Sequence, residues 1–546
     1  MVPFLFVFIR VHSWLIILLV LKTRSQEPGA SSYRMSDLNY NLIHRFNVGD
    51  ALRRSAVRAP RQRALHFQGR DLSYGELDAL ANRVGRLLMA NGIGRGDSVA
   101  IFAANSPEYA ATFFGCARIG AALVPINLMF TADDVDYVFE KTRVKALLAE
   151  PMFLGKVNRV PAIHFLMDQS FRETLDGYDG TPVEQYVPNE ETSLIVFTSG
   201  TTARPKGVVL THLNLFAYLL ATYGEHGVDR SYCNLLALPM FHIAGLVQCF
   251  SCLASGCEGV MLQLPKPEPI LQAILTHRVN AMALPATVWV GLASVPGIET
   301  ADLSCLKRLF VFQYLPTPVF NRWRQMAPQA EWINVWGQTE TSAIGSSTPP
   351  GELEQMLVAP DPIGIQHMPL ELRIVDEEMN DVEAGKPGEI VVRGPSVTPG
   401  YFEDPAANEA LFRDGWHHTG DIAYRNEHGW LYFLDRKKDM IKTGGENVSS
   451  QEVEEAIAQH PGVGEVAVIG LPDPYWIEKV VACVVPVPGV QLTEEELLTH
   501  ARSRLANFRV PKQIFVMNEF PKNPSGKVLK RILRQQLGAN VSGANA

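Results

Sequence analysis

Apolar residues at Leu77, Leu80, Ala81, Val84, Leu87 and Leu88 hold helical spacing, and Ser73 with Glu76 forms a capping box just ahead of them. The pattern predicts a helix entered from a small strand pair at 65–67 and 71–74, after an amphipathic segment over 39–58. Short apolar runs at 99–102, 122–125 and 146–149 then read as strands, alternating with helices predicted over 106–115 and 132–141. The alternation continues past a polar loop at 198–208, through a helix after His212 and strands near 259–262, 281–284 and 309–312. Such alternation predicts an α/β fold with mainly parallel sheet. From Glu371 the rhythm changes to short strands at 372–375, 388–393 and 431–433 between Gly and Pro turns, which predicts a β-rich subdomain. A charged, glycine-bearing connection begins at 435–438, followed by a helix over 451–459, strands at 463–469 and 480–485, and a helix over 494–505. We place a boundary at Lys438, between a large domain over 35–437 and a small α+β domain over 438–546.

The first 34 residues stand apart. Residues 2–21 are apolar except for Arg10, His12 and Ser13, long enough to approach a membrane span, yet a central Arg is costly in hydrocarbon. A secretory signal would want a basic start and a small-residue cleavage site, and neither is clear. The reading adopted is that Met35 is the working start and 1–34 an extension, with cytoplasmic location. A membrane anchor through 2–21 is the alternative.

Length and charge narrow the classes. With 546 residues the chain is too long for one ordinary core. Its net charge of −8, with both signs interspersed, provides no basic footprint for nucleic acid. Seven sparse cysteines in apolar surroundings fit reduced structural thiols rather than a disulfide framework. Cys249 and Cys252, with Cys257 nearby, have metal-like spacing, but their segment reads as a buried helix, and structural zinc wants four converging ligands. His164 and Asp168 match a two-residue acyltransferase pattern that a chain of this length contains by coincidence. Oligomeric state is not legible.

Candidate chemistry centres on TSGTTARPKGV, 198–208, which empties from the apolar run 194–197. Thr198, Ser199, Thr201 and Thr202 supply hydroxyls, Gly200 and Gly207 allow close backbone approach, and Lys206 adds a compact positive charge. This composition suits a polyphosphate. It is not a Walker A loop, because the residue five after Gly200 is Pro205. An ordinary polar turn is the other reading of the loop taken alone.

The loop resembles the signature of the adenylate-forming superfamily (acyl- and aryl-CoA synthetases, luciferases and nonribosomal adenylation domains), with Ala203 where Gly is usual. Further motifs follow in the family's order: PMFHIAG at 239–245, NVWGQTE at 334–340, GWHHTGD at 415–421, DRKKDMIKTGGENVSS at 435–450 and PKNPSGK at 521–527. The resemblance implies ATP, Mg²⁺ and CoA as partners of a small carboxylic acid. The acid attacks the α-phosphate of ATP to give an acyl adenylate and pyrophosphate, and CoA then takes the acyl group. On this pattern the loop and Lys206 hold the β- and γ-phosphates, Thr339 the α-phosphate, Glu340 the Mg²⁺ and Asp421 with Arg436 the ribose. Trp336 and Gln338 belong to the nucleotide site, with Trp336 offering a face for adenine. Lys527 is the catalytic lysine, Lys438 the hinge, and Gly444, Gly445 and Glu446 part of a CoA-binding face. His242 gates or orients the acid.

Two departures stand out. The family's small-residue run before a helix is replaced here by Gln313, Tyr314 and Leu315, which predicts a shortened acyl pocket for a short, medium-chain or compact aromatic acid. Ile477 stands where Gly often precedes Glu478, near the CoA contacts. A nonribosomal-type or luciferase-like enzyme and a non-catalytic binder remain the rival readings. The five residues Lys206, Glu340, Asp421, Arg436 and Lys527 together speak against the binder, which has no need of Lys527.

Overall fold

Ser73 caps the helix Tyr74–Ala90 as its spacing predicts: its N–H donates to Glu76 Oε2 at 2.7 Å while its hydroxyl accepts from the Glu76 N–H at 3.3 Å. The computed structural model describes residues 6–11, 14–19, 37–198, 204–312, 315–357, 361–443, 446–522 and 528–543, with side chains from 37 to 538. Met1–His44 and Arg45–Ala546 are two separate units. In the first, Phe6–Val11 and Trp14–Leu19 pair antiparallel, and the helix Asp37–His44 follows. The described part of the apolar run weighed as an anchor is thus strand, and among the described residues no helix is long and apolar enough to cross a membrane.

The second unit is built on mixed sheets. One runs in the order Gly400–Tyr401, Lys206–Thr211, Thr192–Thr198, Ala122–Pro125, Ser98–Phe102, Ala146–Ala149, Ile163–Leu166. Its pairs are parallel from Thr192–Thr198 onwards and antiparallel at the Gly400 edge. The helix Pro107–Ile119 is buried along its whole length against the helix Tyr74–Ala90, consistent with apolar residues on nearly every side of it.

The larger sheet has a parallel half, Arg63–Phe67, Glu258–Met261, Cys233–Leu236, Ala281–Pro285, Arg308–Phe312 and Glu331–Gly337. The strands expected as a β-rich subdomain continue this same sheet antiparallel through Gly345–Ser347, Pro362–Gln366, Leu431–Arg436, Trp416–Arg425, Gly388–Arg393 and Glu371–Val375. The junction is the hairpin of Glu331–Gly337 with Gly345–Ser347, and this hairpin carries the NVWGQTE motif. After Arg436 the chain enters a different sheet, formed by Ile441–Thr443, Glu446–Val448, Val463–Asp473, Ile477–Pro486 and Gln513–Val516.

Features without a catalytic reading fall into structural places. Asp168 caps the helix Gln169–Asp176, accepting from the Ser170 N–H at 2.8 Å, and His164 is exposed. Cys249 and Cys252 lie buried on the helix Ile243–Ser255, and all seven cysteines are free thiols.

Candidate active site

The hairpin of Thr192–Thr198 with Lys206–Thr211 sets Thr198 opposite Lys206. On its outer side Val208 pairs with Tyr401, so Lys206 Nζ lies 4.9 Å from the centre of the Tyr401 ring, a cation–π distance. The Tyr401 hydroxyl donates to Glu340 Oε1 at 2.9 Å, and the Glu340 carbonyl accepts from the Thr398 N–H at 2.8 Å. Burial and the neighbouring Glu340 charge raise the Tyr401 pKa, so the phenol remains a donor. Lys206, Tyr401 and Glu340 therefore form one cluster, with Thr339 half-buried beside it on the 3-10 turn Thr339–Thr341.

Two residues upstream, Gln338 leads into a second cluster. Asp421 is fully buried; its Oδ2 accepts from Trp336 Nε1 at 2.9 Å and Gln338 Nε2 at 2.7 Å, and its Oδ1 forms an ion pair with Arg436, 2.6 Å from Nε. Strand register brings this about: Asp421 faces Arg436 across neighbouring strands, while Trp336 and Gln338 come from the junction hairpin and the turn after it. Gln338 also donates to the Thr419 carbonyl at 2.9 Å, and the Asp421 N–H donates to Thr419 Oγ1 at 3.1 Å. A carboxylate taken wholly out of water needs this many donors. The Trp336 indole is buried, packed on Gly345 and within the cluster of Ile344, Ile363 and Leu372. Its N–H holding Asp421 is thus a second part beside the adenine face expected of it.

His242 precedes the helix Ile243–Ser255 and tilts against Phe241 at 4.7 Å between ring centres. Burial lowers its pKa to about 4, so the imidazole is neutral at pH 7. The helix that follows it helps to line a small cavity of about 60 Å³. Ala244, Val247, Met282, Phe310, Phe312, Val335 and Ile344 make its walls apolar. Tyr218, Thr222 and His226 reach it from one face of the helix His212–His226, with Asn234, Gln248 and Ser251 opposite. Leu315, expected in the pocket wall, instead packs into the core with Phe320 and Trp323. The chain turns there into the helix Thr317–Met326 behind Pro316, and Phe310 and Phe312 of the preceding strand line the cavity in its place.

Lys438 is exposed in the turn between Leu431–Arg436 and Ile441–Thr443, where the Arg436 carbonyl accepts from the Asp439 N–H at 2.8 Å. Contacts across that turn join the two sheets: Ser450 Oγ donates to Asp435 at 2.6 Å, and Gln451 donates to Asp361 at 2.7 Å. Glu446 is exposed on the strand Glu446–Val448. Ser199, Gly200, Thr201, Thr202, Gln313, Tyr314, Gly444, Gly445 and Lys527 lie outside the described residues. Sequence reasoning did not single out Tyr401, Thr419 or the polar cavity residues; the i, i+4, i+8 spacing of Tyr218, Thr222 and His226 on one helix face was the available signal.

Glu340 suits Mg²⁺, which is typically bound through one or two carboxylates together with substrate phosphates. Among the described residues no group of three or more His, Cys, Asp and Glu forms an all-protein cage.

Residues 52–402 match the family model of the AMP-binding enzymes and 452–527 that of the AMP-binding enzyme C-terminal domain. A feruloyl-CoA synthase from Amycolatopsis sp is 33% identical over 499 residues, spanning 89% of this chain and 98% of that one. An indoleacetate–CoA ligase from Aromatoleum aromaticum is 32% identical over 501 residues, spanning 88% and 96%. The crystal structure of ATP-bound MatB from Rhodopseudomonas palustris superposes with a TM-score of 0.83 at 27% identity, covering 91% of this chain and 99% of that one. The chain belongs to the AMP-binding enzyme family, as an AMP-forming acid–thiol ligase of the adenylate-forming superfamily that takes ATP and CoA.

Proposed function

We infer that this ligase activates a short- or medium-chain or compact aromatic carboxylic acid. The supporting observation is the pair of polar clusters that the turn after the junction hairpin joins, Lys206, Tyr401 and Glu340 on one side and Trp336, Gln338, Asp421 and Arg436 on the other. Phe310 and Phe312 suit a flat ring, and the two relatives above are named for feruloyl and indoleacetate substrates.

Lys206 and the loop before it neutralise the β- and γ-phosphates, and Thr339 bonds the α-phosphate. Tyr401 fixes Glu340 in orientation, and Glu340 holds the Mg²⁺ that screens the phosphate charge when bound. Asp421 accepts the ribose hydroxyls, exchanging its bond with Arg436 for them while Trp336 and Gln338 keep the carboxylate in place. Neutral His242 orients the acid's carboxylate without adding charge. No enzyme nucleophile is required: rate comes from aligning carboxylate and α-phosphorus and from stabilising charge as it moves, with Lys527 beside both sets of oxygens.

The segment after Lys438 then rotates, withdrawing Lys527 and presenting Gly444, Gly445 and Glu446 to CoA. That motion must break Ser450–Asp435 and Gln451–Asp361. A pyrophosphate-release assay over a panel of aromatic and aliphatic acids, with and without CoA, tests the reading. Activity peaking at palmitate or longer refutes the compact-acid assignment.

A further inference from the structure

Ser450 Oγ stands 2.6 Å from Asp435 Oδ2 and 2.5 Å from Lys530 Nζ. A carboxylate only accepts and an ammonium only donates, so the single hydroxyl proton goes to Asp435 and a lone pair takes Lys530. Lys530 and Asp435 are thereby joined through one hydroxyl in a fixed direction. The Ser450 N–H adds a bond to Asp435 Oδ2 at 2.7 Å, and Ser449 Oγ donates to the Leu434 carbonyl at 2.7 Å. Ser450 and Asp435 are both buried, so water does not compete for these groups.

The two ends of this chain fall on opposite sides of Lys438. Asp435 lies on the strand Leu431–Arg436 of the larger sheet, whereas Ser450 opens the helix Ser450–Ala458 and Lys530 opens the helix Lys530–Gly543. Lys530 follows Lys527 by three residues. Glu454, one turn along from Ser450, pairs with Lys530 at 2.7 Å, and Arg534, one turn along from Lys530, pairs with Asp439 at 2.8 Å. Residues on either side of 523–527 are tied together as well: Lys522 bridges to Val528, and the Leu529 N–H donates to the Pro521 carbonyl at 2.7 Å. Burial works against the Lys530 charge, but Glu454, Asp435 and Asp439 outweigh it and raise the pKa, so the ammonium persists. Of the bonds just named, those to Asp435 and Leu434 alone cross Lys438.

We propose that Ser450 and Lys530 are positioning residues for adenylate formation, the chain Lys530–Ser450–Asp435 setting where the segment that carries Lys527 stands against the large domain. The proposal rests on the reading that the part after Lys438 rotates between the two half-reactions. Rotation carries Ser450, Glu454 and Lys530 away together and leaves Asp435 behind, so the chain serves the first half-reaction and is absent from the second.

The test measures the half-reactions separately in the full chain: pyrophosphate release without CoA, and thioester formation from supplied acyl adenylate, both with the best acid of the panel above. Ser450→Ala removes the hydroxyl and keeps the Lys530–Glu454 pair. It should slow pyrophosphate release about 10-fold, the range of one hydrogen bond to a charged group, while thioester formation stays within twofold of the wild type or rises. Ser450→Thr should restore most of the loss. Lys530→Met should give the same split, and added to Ser450→Ala it should cost less than a further twofold, because the chain is already cut. Urea midpoints check that each variant folds; Ser450→Ala decides the matter by itself if Lys530→Met does not. Equal losses in both half-reactions, as a merely structural role would give, overturn the proposal, and so does slowing of thioester formation alone or a change below twofold in both. Lys527→Ala run alongside separates the two levels of the argument. If it loses both half-reactions, alternation fails and the proposal with it; if it splits them and Ser450→Ala does not, the proposal alone fails.

Discussion

Gly345 is the position at which the nucleotide site depends most narrowly on packing. It pairs with Gly337 across the junction hairpin, and a Cβ added there would overlap Cζ3 and Cε3 of the Trp336 indole. Gly345→Ala must therefore push the indole, whose Nε1 is 2.9 Å from Asp421. Overpacking of this kind costs about 1–3 kcal/mol. A displaced indole also gives up its bond to a charged, fully buried carboxylate, an interaction of about 1.5–3 kcal/mol. If Asp421 holds the ribose, part of that loss appears in ATP use: kcat/KM for ATP should fall about 10- to 100-fold, or about 1.4–2.7 kcal/mol. KM for the acid should stay within about twofold. Trp336→Tyr removes both the indole N–H and the atoms the new methyl would strike. It should lower ATP use by itself, but Gly345→Ala added to it should cost little more. The expected coupling energy is about 1 kcal/mol or above. Pyrophosphate release at varied ATP, for the wild type, both single variants and the double variant, measures it. Strict additivity, or an unchanged KM for ATP in Gly345→Ala, would refute the argument that the indole positions Asp421.

Other outcomes follow from other groups. Burial pushes the Asp361 carboxyl up to about 6 against the lowering bonds from Gln451 and Asn334, so the folded state binds this proton more tightly than the unfolded chain, whose ordinary value is 3.8. Its stabilising contribution is full below 3.8 and lost as pH rises through about 6; Asp361→Asn should gain on the wild type by up to about 3 kcal/mol between pH 4 and 7 in urea midpoints, and a flat difference rejects the assignment. Ile477 holds φ at +72°, a region β-branched residues avoid, with its side chain 66% exposed. Ile477→Gly relieves about 1–2 kcal/mol of strain and costs about 0.5–1 kcal/mol in unfolded-chain entropy, so a net gain of up to about 1.5 kcal/mol is expected and Ile477→Ala should show none. Lys527→Ala should abolish adenylate formation and spare thioester formation from supplied acyl adenylate, while Lys438→Pro should spare adenylate formation and slow thioester formation; loss of both half-reactions in Lys527→Ala contradicts alternation of the small domain.

How much of this was legible depends on where each interaction is written in the chain. Strand positions between 99 and 149 announced themselves because both sheet faces are covered and these runs are apolar throughout, and the Ser73 cap because its partner is three residues away. The motif residues stood out as polar groups placed directly after buried strands. Tyr401 had no such signal. Its partners are Lys206 and Glu340, and only the pairing of Gly400–Tyr401 at a sheet edge brings them together. The union of the parallel half-sheet with the later strands was hidden for a related reason: a change from helix-linked to hairpin-linked strands reads as a boundary, whereas hydrogen bonding runs straight across it at Gly345–Ser347. That continuity has a chemical consequence. It lets Trp336 and Gln338, at the end of a parallel strand, donate to Asp421 on an antiparallel one.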